Sequence, residues 1–462
     1  MGSNWPLEKL GNLLEITSSK RIFRADYCEV GIPFYRGKEI VELSKGNTIS
    51  TELFISTEKF EKIKNKFGAP QAGDLLLTSV GTLGAAYLVQ DDDRFYFKDG
   101  NLTWFRNFSD KLLPRFLLLW FRSSIAKRAI DEITIGSTQQ ALTIVSLKTL
   151  ELALPPIKEQ KKITHILGTL DDKIELNRQM NTTLEDMAQA LFKSWFIDFD
   201  PVIDNALAAG NSIPEPLQAR AEARVVLGEQ RKSLPKAIQK QFPDGFVFDE
   251  DMGWVPERWE SISMTSMVES ISDTFPLNTV EQVIFLNTGD ILEGNFLHSN
   301  YSKVSGLPGQ AKKSIKKGDI LYSEIRPKNK RFAYVDFESE DHVVSTKLMV
   351  LRSKDQFNPL FPYFVLKQNR TINLLQHLAE SRSGTFPQIT YQQLEQVKVM
   401  MPKNNSLIDF FESTVLKDNH KKSLRLNRES KTLTRLRDTL LPKLLSGQLH
   451  IPDAEKQLAE VI

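Results

Sequence analysis

Apolar residues recur at helical intervals through one long, glycine-poor run. Between Leu154 and Asp200 they fall at Ile163, Ile166, Leu170, Ile174, Met180, Leu184, Met187, Leu191 and Trp195. Steps of three or four residues place side chains on one face of a helix. Pro155 and Pro156 precede the run; proline lacks an amide donor and turns its predecessor away from helical geometry. Gly168 is the single glycine inside it. At 1.5 Å per residue such a helix is roughly 60 Å long. A strut of that length needs a partner helix. Asn177 interrupts the apolar seam between Ile174 and Met180, and a polar residue at a seam position fixes register in a coiled coil.

A second helical pattern opens at Pro402 and carries Ile408, Phe411, Val415, Leu426, Leu433, Leu436 and Leu440. It repeats the Leu176-Asn177-Arg178 triplet as Leu426-Asn427-Arg428. The regions preceding the two helices also repeat. Gly73-Asp74-Leu75-Leu76 returns as Gly318-Asp319-Ile320-Leu321, Ala86-Tyr87 as Ala333-Tyr334, the Gly136 loop as the Gly384 loop, and Pro155 as Pro402. Order and spacing persist at an offset of about 250 residues, too long for a solenoid repeat. The chain is read as a module followed by a helix, written twice.

Short β-like runs at Ile32–Tyr35, Asp74–Ser79, Ala85–Val89 and Leu102–Phe105 are followed by a predicted helix from Pro114 to Asp131. This gives a mixed module over residues 1–153 and the long helix over 154–198. A connector with small helices covers 199–250, its helix-prone piece spanning Leu217 to Gln241. Val225, Val226, Leu227, Phe242, Phe246 and Phe248 argue that it is folded. The second module covers 251–401, the second helix 402–446, and a polar tail 447–462. The fold class is α+β, with two pseudo-symmetric mixed α/β modules separated by two long helices.

The chain of 462 residues is 41% hydrophobic and 26% charged, ordinary for a soluble protein. No run suits a membrane span, no N-terminal signal pattern is present, and the single Cys28 fits a reducing cytoplasm. The net charge of +2 neither demands nor excludes nucleic acid. Phosphate-loop and dinucleotide-loop signatures are absent. His165, His298, His342, His377, His420 and His450 are scattered, with no pair at metal-ligand spacing. The Pro452–Lys456 segment is only superficially nuclease-like. No catalytic residue and no metal site is assigned.

Binding chemistry is concentrated in loops. In the first module the candidates are Lys20, Arg21, Arg24, Arg36, Lys38, Ser79, Thr82, Ser137, Thr138, Gln139 and Gln140. In the second they are Arg326, Lys328, Lys330, Arg331, Lys347, Arg382, Ser383, Thr385 and Gln388. Arg and Gln pair bidentately with guanine and adenine edges, and Lys, Ser and Thr suit phosphate oxygens. Any one of these residues has an ordinary explanation as solvated surface. The recurrence in corresponding loops favours contact with DNA.

The run LPPIKEQKKITHILGTLDDKIELNRQMNTTLEDMAQALFKSWFIDFDPV resembles the central conserved region of the specificity (S) subunits of type I restriction–modification systems. LLPKLLSGQL at Leu440–Leu449 resembles their distal conserved end, and GDLLLTSVGTLG and GDILYSEIRP resemble their two target-recognition domains. The resemblance implies two such domains, each reading half of a bipartite, asymmetric double-stranded DNA target, joined by antiparallel coiled-coil helices that set the spacer. It implies a non-catalytic chain that binds no cofactor itself. Two methyltransferase (M) subunits would supply S-adenosylmethionine and adenine-N6 methylation, and two restriction (R) subunits would use ATP and Mg. The expected seam and docking positions are Ile163, Leu170, Ile174, Met180, Leu184, Met187, Leu191, Leu426, Leu433, Leu436 and Leu440, with self-packing and docking left undivided. From the residues alone, a self-contained DNA-processing enzyme and a scaffold that binds no DNA remain open.

Overall fold

The computed structural model describes residues 5–47, 49, 51, 53–136, 140–228, 234–250 and 252–460. The chain divides into two compact units: Met1–Met180 with Arg425–Ile462, and Asn181–Leu424. Each unit combines a globular part with stretches of both long helices.

The first long helix runs unbroken over Ile157–Phe196. Its first turn is fastened by Gln160, whose side chain is fully buried. Gln160 Nε2 donates to the carbonyls of Lys111 (2.7 Å) and Pro155 (2.8 Å), and its Oε1 accepts from the Leu113 amide (2.9 Å). Gly168 leaves room for a side chain that lies over the helix. A Cβ there would lie 2.6 Å from Arg115 Nη2, and that guanidinium lies across the helix to Asp172.

In the first unit the helix packs through Ile163, Ile166, Leu167 and Leu170 against Leu433, Leu440, Leu441 and Leu444 of the second long helix, Lys417–Leu445. The two run antiparallel: Asp171 pairs with Arg437 at 2.9 Å, while Asn177 Nδ2 reaches Ser430 Oγ at 3.4 Å. Asn177 is buried as the seam pattern requires, and its Oδ1 has no hydrogen-bond partner among the described residues. In the second unit Ala188, Phe192, Trp195 and Phe196 pack on Ile408, Phe411 and Leu416. There Asn419 Nδ2 donates to the Leu184 carbonyl at 3.1 Å. A π-helical turn, Glu412–Leu416, precedes the second helix.

Two expected seam residues are not on the seam. Met180 and Met187 are exposed (44% and 60%), whereas Ile174, Leu184, Leu191 and Leu436 are half-buried, and Leu426 is buried. The packed face runs through Ala188 instead of its neighbour Met187. A helix of 3.6 residues per turn drifts off a seven-residue pattern, and a small alanine allows the close approach.

Both units build the same scaffold. In the first, an antiparallel sheet has the order Glu15–Thr17, Leu102–Arg106, Leu75–Thr78, Ala86–Leu88. In the second, the order is Val268–Ile271, Leu348–Ser353, Ile320–Ser323, Phe332–Tyr334. The register also repeats, with Leu75 opposite Phe105 and Ile320 opposite Leu351. A second sheet in each unit contains one parallel pair: Ile32–Tyr35 with Tyr96–Phe97, and Gln282–Leu286 with His342–Ser345. A short antiparallel pair closes each globular part, Leu7–Lys9 on Glu151–Ala153 and Trp259–Ser263 on Lys398–Pro402.

Three local expectations change. The helix expected over Pro114–Asp131 is two, Pro114–Arg122 and Ser124–Ile133, because the Ser123 hydroxyl caps the second by accepting from the Ala126 amide. The connector folds into Asp200–Ala209, Glu215–Leu227 and Lys236–Gln239. Arg220 and Arg224 bind Asp200. Phe242 is buried, but Val225, Val226, Leu227 and Phe248 are exposed, so ion pairing holds this segment more than those residues do. The tail contains a helix, Ile451–Ala459, seated through Ala454.

Two consequences are measurable. Leu433→Ala removes the side chain that meets the first helix and should destabilise the first unit by about 2–5 kcal/mol, read as an earlier urea midpoint. Burial, with Asp409 nearby, pushes the Glu412 carboxyl from 4.5 up to about 8. The folded state therefore holds this proton more tightly than the unfolded chain. The resulting stability is complete below about 4.5 and is lost as pH rises through about 8. Glu412→Gln should flatten the stability of the second unit across that window, measured by thermal unfolding against pH.

Candidate nucleic-acid interface

In each unit the central strand of the four-stranded antiparallel sheet ends in a loop that is tied to a glycine-containing loop. In the second unit the Ile389 amide donates to the Glu324 carbonyl (2.9 Å), and the Glu324 amide to the Lys347 carbonyl (3.1 Å). In the first, the Leu142 amide donates to the Ser79 carbonyl (2.9 Å) and the Ser79 amide to the Asn101 carbonyl (2.8 Å). The backbone therefore places the same two loops side by side twice.

The second unit's loops are held tightly. Arg326 and Lys330 have left-handed φ values of 44° and 53° and bracket a turn over Pro327–Asn329. The Arg326 amide donates to the Pro387 carbonyl (3.1 Å), and the Lys328 amide to Gln376 Oε1 (3.0 Å). These bonds engage the backbone and leave the Arg326 and Lys328 side chains in solvent, with no side-chain partner among the described residues. Arg382, at the end of the helix Asn369–Arg382, and Thr385, on the adjoining loop, are likewise exposed. Lys347 Nζ donates to Gln388 Oε1 (3.1 Å) and lies 3.5 Å from Glu324, so one cation and one amide are presented together. Ser383 Oγ accepts from the Phe386 amide.

Two candidates are engaged elsewhere. Arg331 Nη1 donates to the carbonyls of Gly289 and Ile291 and braces the loop from behind. Lys330 pairs with Glu293 at 2.7 Å, both half-exposed; such a pair is weak and exchangeable.

In the first unit, Ser19 Oγ donates to the Phe97 carbonyl and the Lys98 amide to the Tyr35 carbonyl. Lys20 and Arg21, Lys38, and the exposed Lys98 thus gather at one end of the parallel strand pair. Arg21 Nε lies 3.9 Å from Asp99, and Lys20 Nζ sits 5.0 Å from the Phe67 ring centroid. Arg24, Thr82 and Gln140 are exposed. Ser137, Thr138 and Gln139 lie outside the described residues.

Ser79 and Arg36 are structural. Ser79 is buried, and its hydroxyl sits 2.6 Å from Thr103 Oγ1. Arg36 binds buried Glu39 (2.8 Å), which in turn caps the helix Gly37–Ser44. Burial pushes the Glu39 carboxyl up, but the hydrogen bonds from Arg36 outweigh it and hold the group below its ordinary range.

Lys98, Phe23 and Phe386 escaped the sequence reading. Lys98 follows an apolar strand that reads as core, and single exposed phenylalanines are indistinguishable from core residues in a sequence. Among the described residues no group of three or more His, Cys, Asp and Glu side chains is placed to hold a metal ion, and no helix is long and apolar enough to cross a membrane.

The model of the type I restriction modification DNA specificity domain matches residues 2–186 and 256–413. The chain is 46% identical over 145 residues to the HindI specificity subunit of Haemophilus influenzae, a match covering 31% of this chain and 32% of that relative. It is 23% identical over 473 residues to the MjaIX specificity subunit of Methanocaldococcus jannaschii, covering 97% of this chain and 94% of the relative. The fold is similar to the crystal structure of a type I restriction–modification S subunit from M. genitalium, with a TM-score of 0.50, 16% identity, and 96% of both chains covered. With that domain model lying over both copies of a scaffold built twice, this chain belongs to the type I restriction–modification DNA specificity family.

Proposed function

We propose that each unit reads one half of a bipartite, asymmetric target in double-stranded DNA. One observation carries this reading: the same pair of backbone-tied loops occurs in both units, and each unit presents exposed cations with no strong partner, beside those loops in the second unit and largely at the end of the parallel strand pair in the first. Arg326, Lys328 and Arg382 do so in the second unit, and Lys20, Arg24, Lys38 and Lys98 in the first. Unpaired cations on rigid loops suit phosphate contacts, and neighbouring Gln140, Thr385 and Gln388 suit base edges.

The helices act as the ruler. A fixed strut converts spacing along DNA into a geometric requirement, since each added base pair also rotates the next half-site. Two methyltransferase subunits dock on the helices, where exposed Met180 and Met187 offer apolar contact that the chain itself leaves unused. Those subunits supply S-adenosylmethionine and the adenine-N6 methylation, with the target base swung out into their pocket. Two restriction subunits supply ATP- and Mg-dependent cleavage. This chain is non-catalytic, holds no cofactor, and works in the cytoplasm beside the DNA it reads.

The double variant Arg326→Ala/Lys328→Ala, assembled with methyltransferase subunits, should bind all duplexes more weakly. The slope of log affinity against log salt should fall by about 1–2. Unchanged affinity and slope would remove this loop from the interface. Inserting one helical turn after Asn177, with a matching turn after Ser430, lengthens the strut by about 6 Å. The methylated target should then carry a spacer longer by about two base pairs. A folded, active complex that keeps the original spacer would contradict the ruler.

A further inference from the structure

Of the exposed phenylalanines, Phe248 packs edge-on against Trp254 and Phe67 lies under Lys20 and Lys66, which leaves one in each unit to explain. Phe23 is 62% exposed and Phe386 is 55% exposed, and neither belongs to a hydrophobic cluster. Both are held at the backbone. The Phe23 amide donates to Asp26 Oδ2 (3.0 Å), and Asp26 is itself fixed by Lys59 at 2.9 Å. The Phe386 amide donates to Ser383 Oγ (3.2 Å), and the following Pro387 is buried with its carbonyl accepting from Arg326. The rings therefore project from fixed points.

Cations lie near both residues, at the ring of Phe23 and along the backbone beside Phe386. Arg21 Cζ lies 5.6 Å from the Phe23 ring centroid, and Arg24 follows it in an exposed turn. Phe386 lies in the segment joined to Arg326 and follows exposed Arg382. An exposed apolar ring on a fixed backbone, near cations suited to phosphate, is suited to a base, through stacking, wedging at a base step, or contact with a thymine methyl.

The repeat sharpens the assignment. Scaffold residues recur in both units, as Gly73 and Gly318, or Asp74 and Asp319, do. The two phenylalanines do not correspond. The first unit has no aromatic residue between Gly136 and Ala141, where the second has Phe386. A framework role would be duplicated, whereas residues reading two different half-sites would differ. Resting on the DNA-reading function above, we propose that Phe23 and Phe386 are specificity-determining residues, each contacting a base of its own unit's half-site.

The test uses the full chain assembled with its methyltransferase subunits and a duplex library varied at every target position. Phe386→Ala should weaken binding to the target by about tenfold, relax base preference at one position of one half, and leave the other half unchanged. Phe23→Ala should do the same in the opposite half. Thermal midpoints should match the parent, since neither ring is in a core. Alanine variants with parental affinity and preference throughout would overturn the assignment. So would variants whose only defect is weaker assembly with methyltransferase subunits, which would make the rings protein contacts. A parental complex that discriminated at neither half would instead overturn the DNA-reading function itself.

Discussion

The structure depends on a long helix being unable to stand alone in water. Isolated helices draw most of their stability in proteins from a buried apolar face, and Ile157–Phe196 carries such a face in both units. In the first, Ile163, Ile166 and Leu170 are covered by Leu433 and Leu440. In the second, Phe192, Trp195 and Phe196 are covered by Ile408, Phe411 and Leu416. The aliphatic stretch packs as a two-helix seam, whereas the aromatic stretch is absorbed into a larger globular core. Buried Asn177 sits in the aliphatic part, its Oδ1 without a partner among the described residues. A slipped pairing would bury that amide against leucines, so the polar residue favours one register.

Duplication explains how one scaffold serves two tasks. The strand order, the register and the loop-to-loop hydrogen bonds recur, all of them backbone properties. What differs is carried by side chains at loop tips. Asp319 binds Arg352 bidentately, whereas Asp74 accepts from Trp104. Even this internal brace has been rebuilt while the strand beneath it is unchanged.

Much of this was legible in the residues. The return of Gly73-Asp74 at Gly318-Asp319 revealed the two modules, because a turn glycine with φ near +90° is hard to replace. The long helices followed from apolar spacing. Phase along the first helix was less legible: Met187 reads as seam and Ala188 as filler, yet packing reverses them. The break at Ser123 was hidden, since a serine inside a helix and a serine capping one look alike in sequence. The candidate loops were legible, but which of their side chains are tied up within the fold was not. Ser79 and Arg331 are bonded to a partner distant in sequence or to backbone carbonyls, contacts that only three-dimensional proximity discloses, and Arg36 is drawn to Glu39 one helical turn on.

Gln160 has a consequence for how such a chain can change. It joins the globular part to the helix through the carbonyls of Lys111 and Pro155 and the amide of Leu113. These are main-chain groups, so the joint is indifferent to which side chains the head carries at those positions. A foreign head that brings the same loop path would fit the same socket. Recombination could then exchange whole readers in a single event, and a lineage could acquire a new address on the genome without redesigning the rod that carries it.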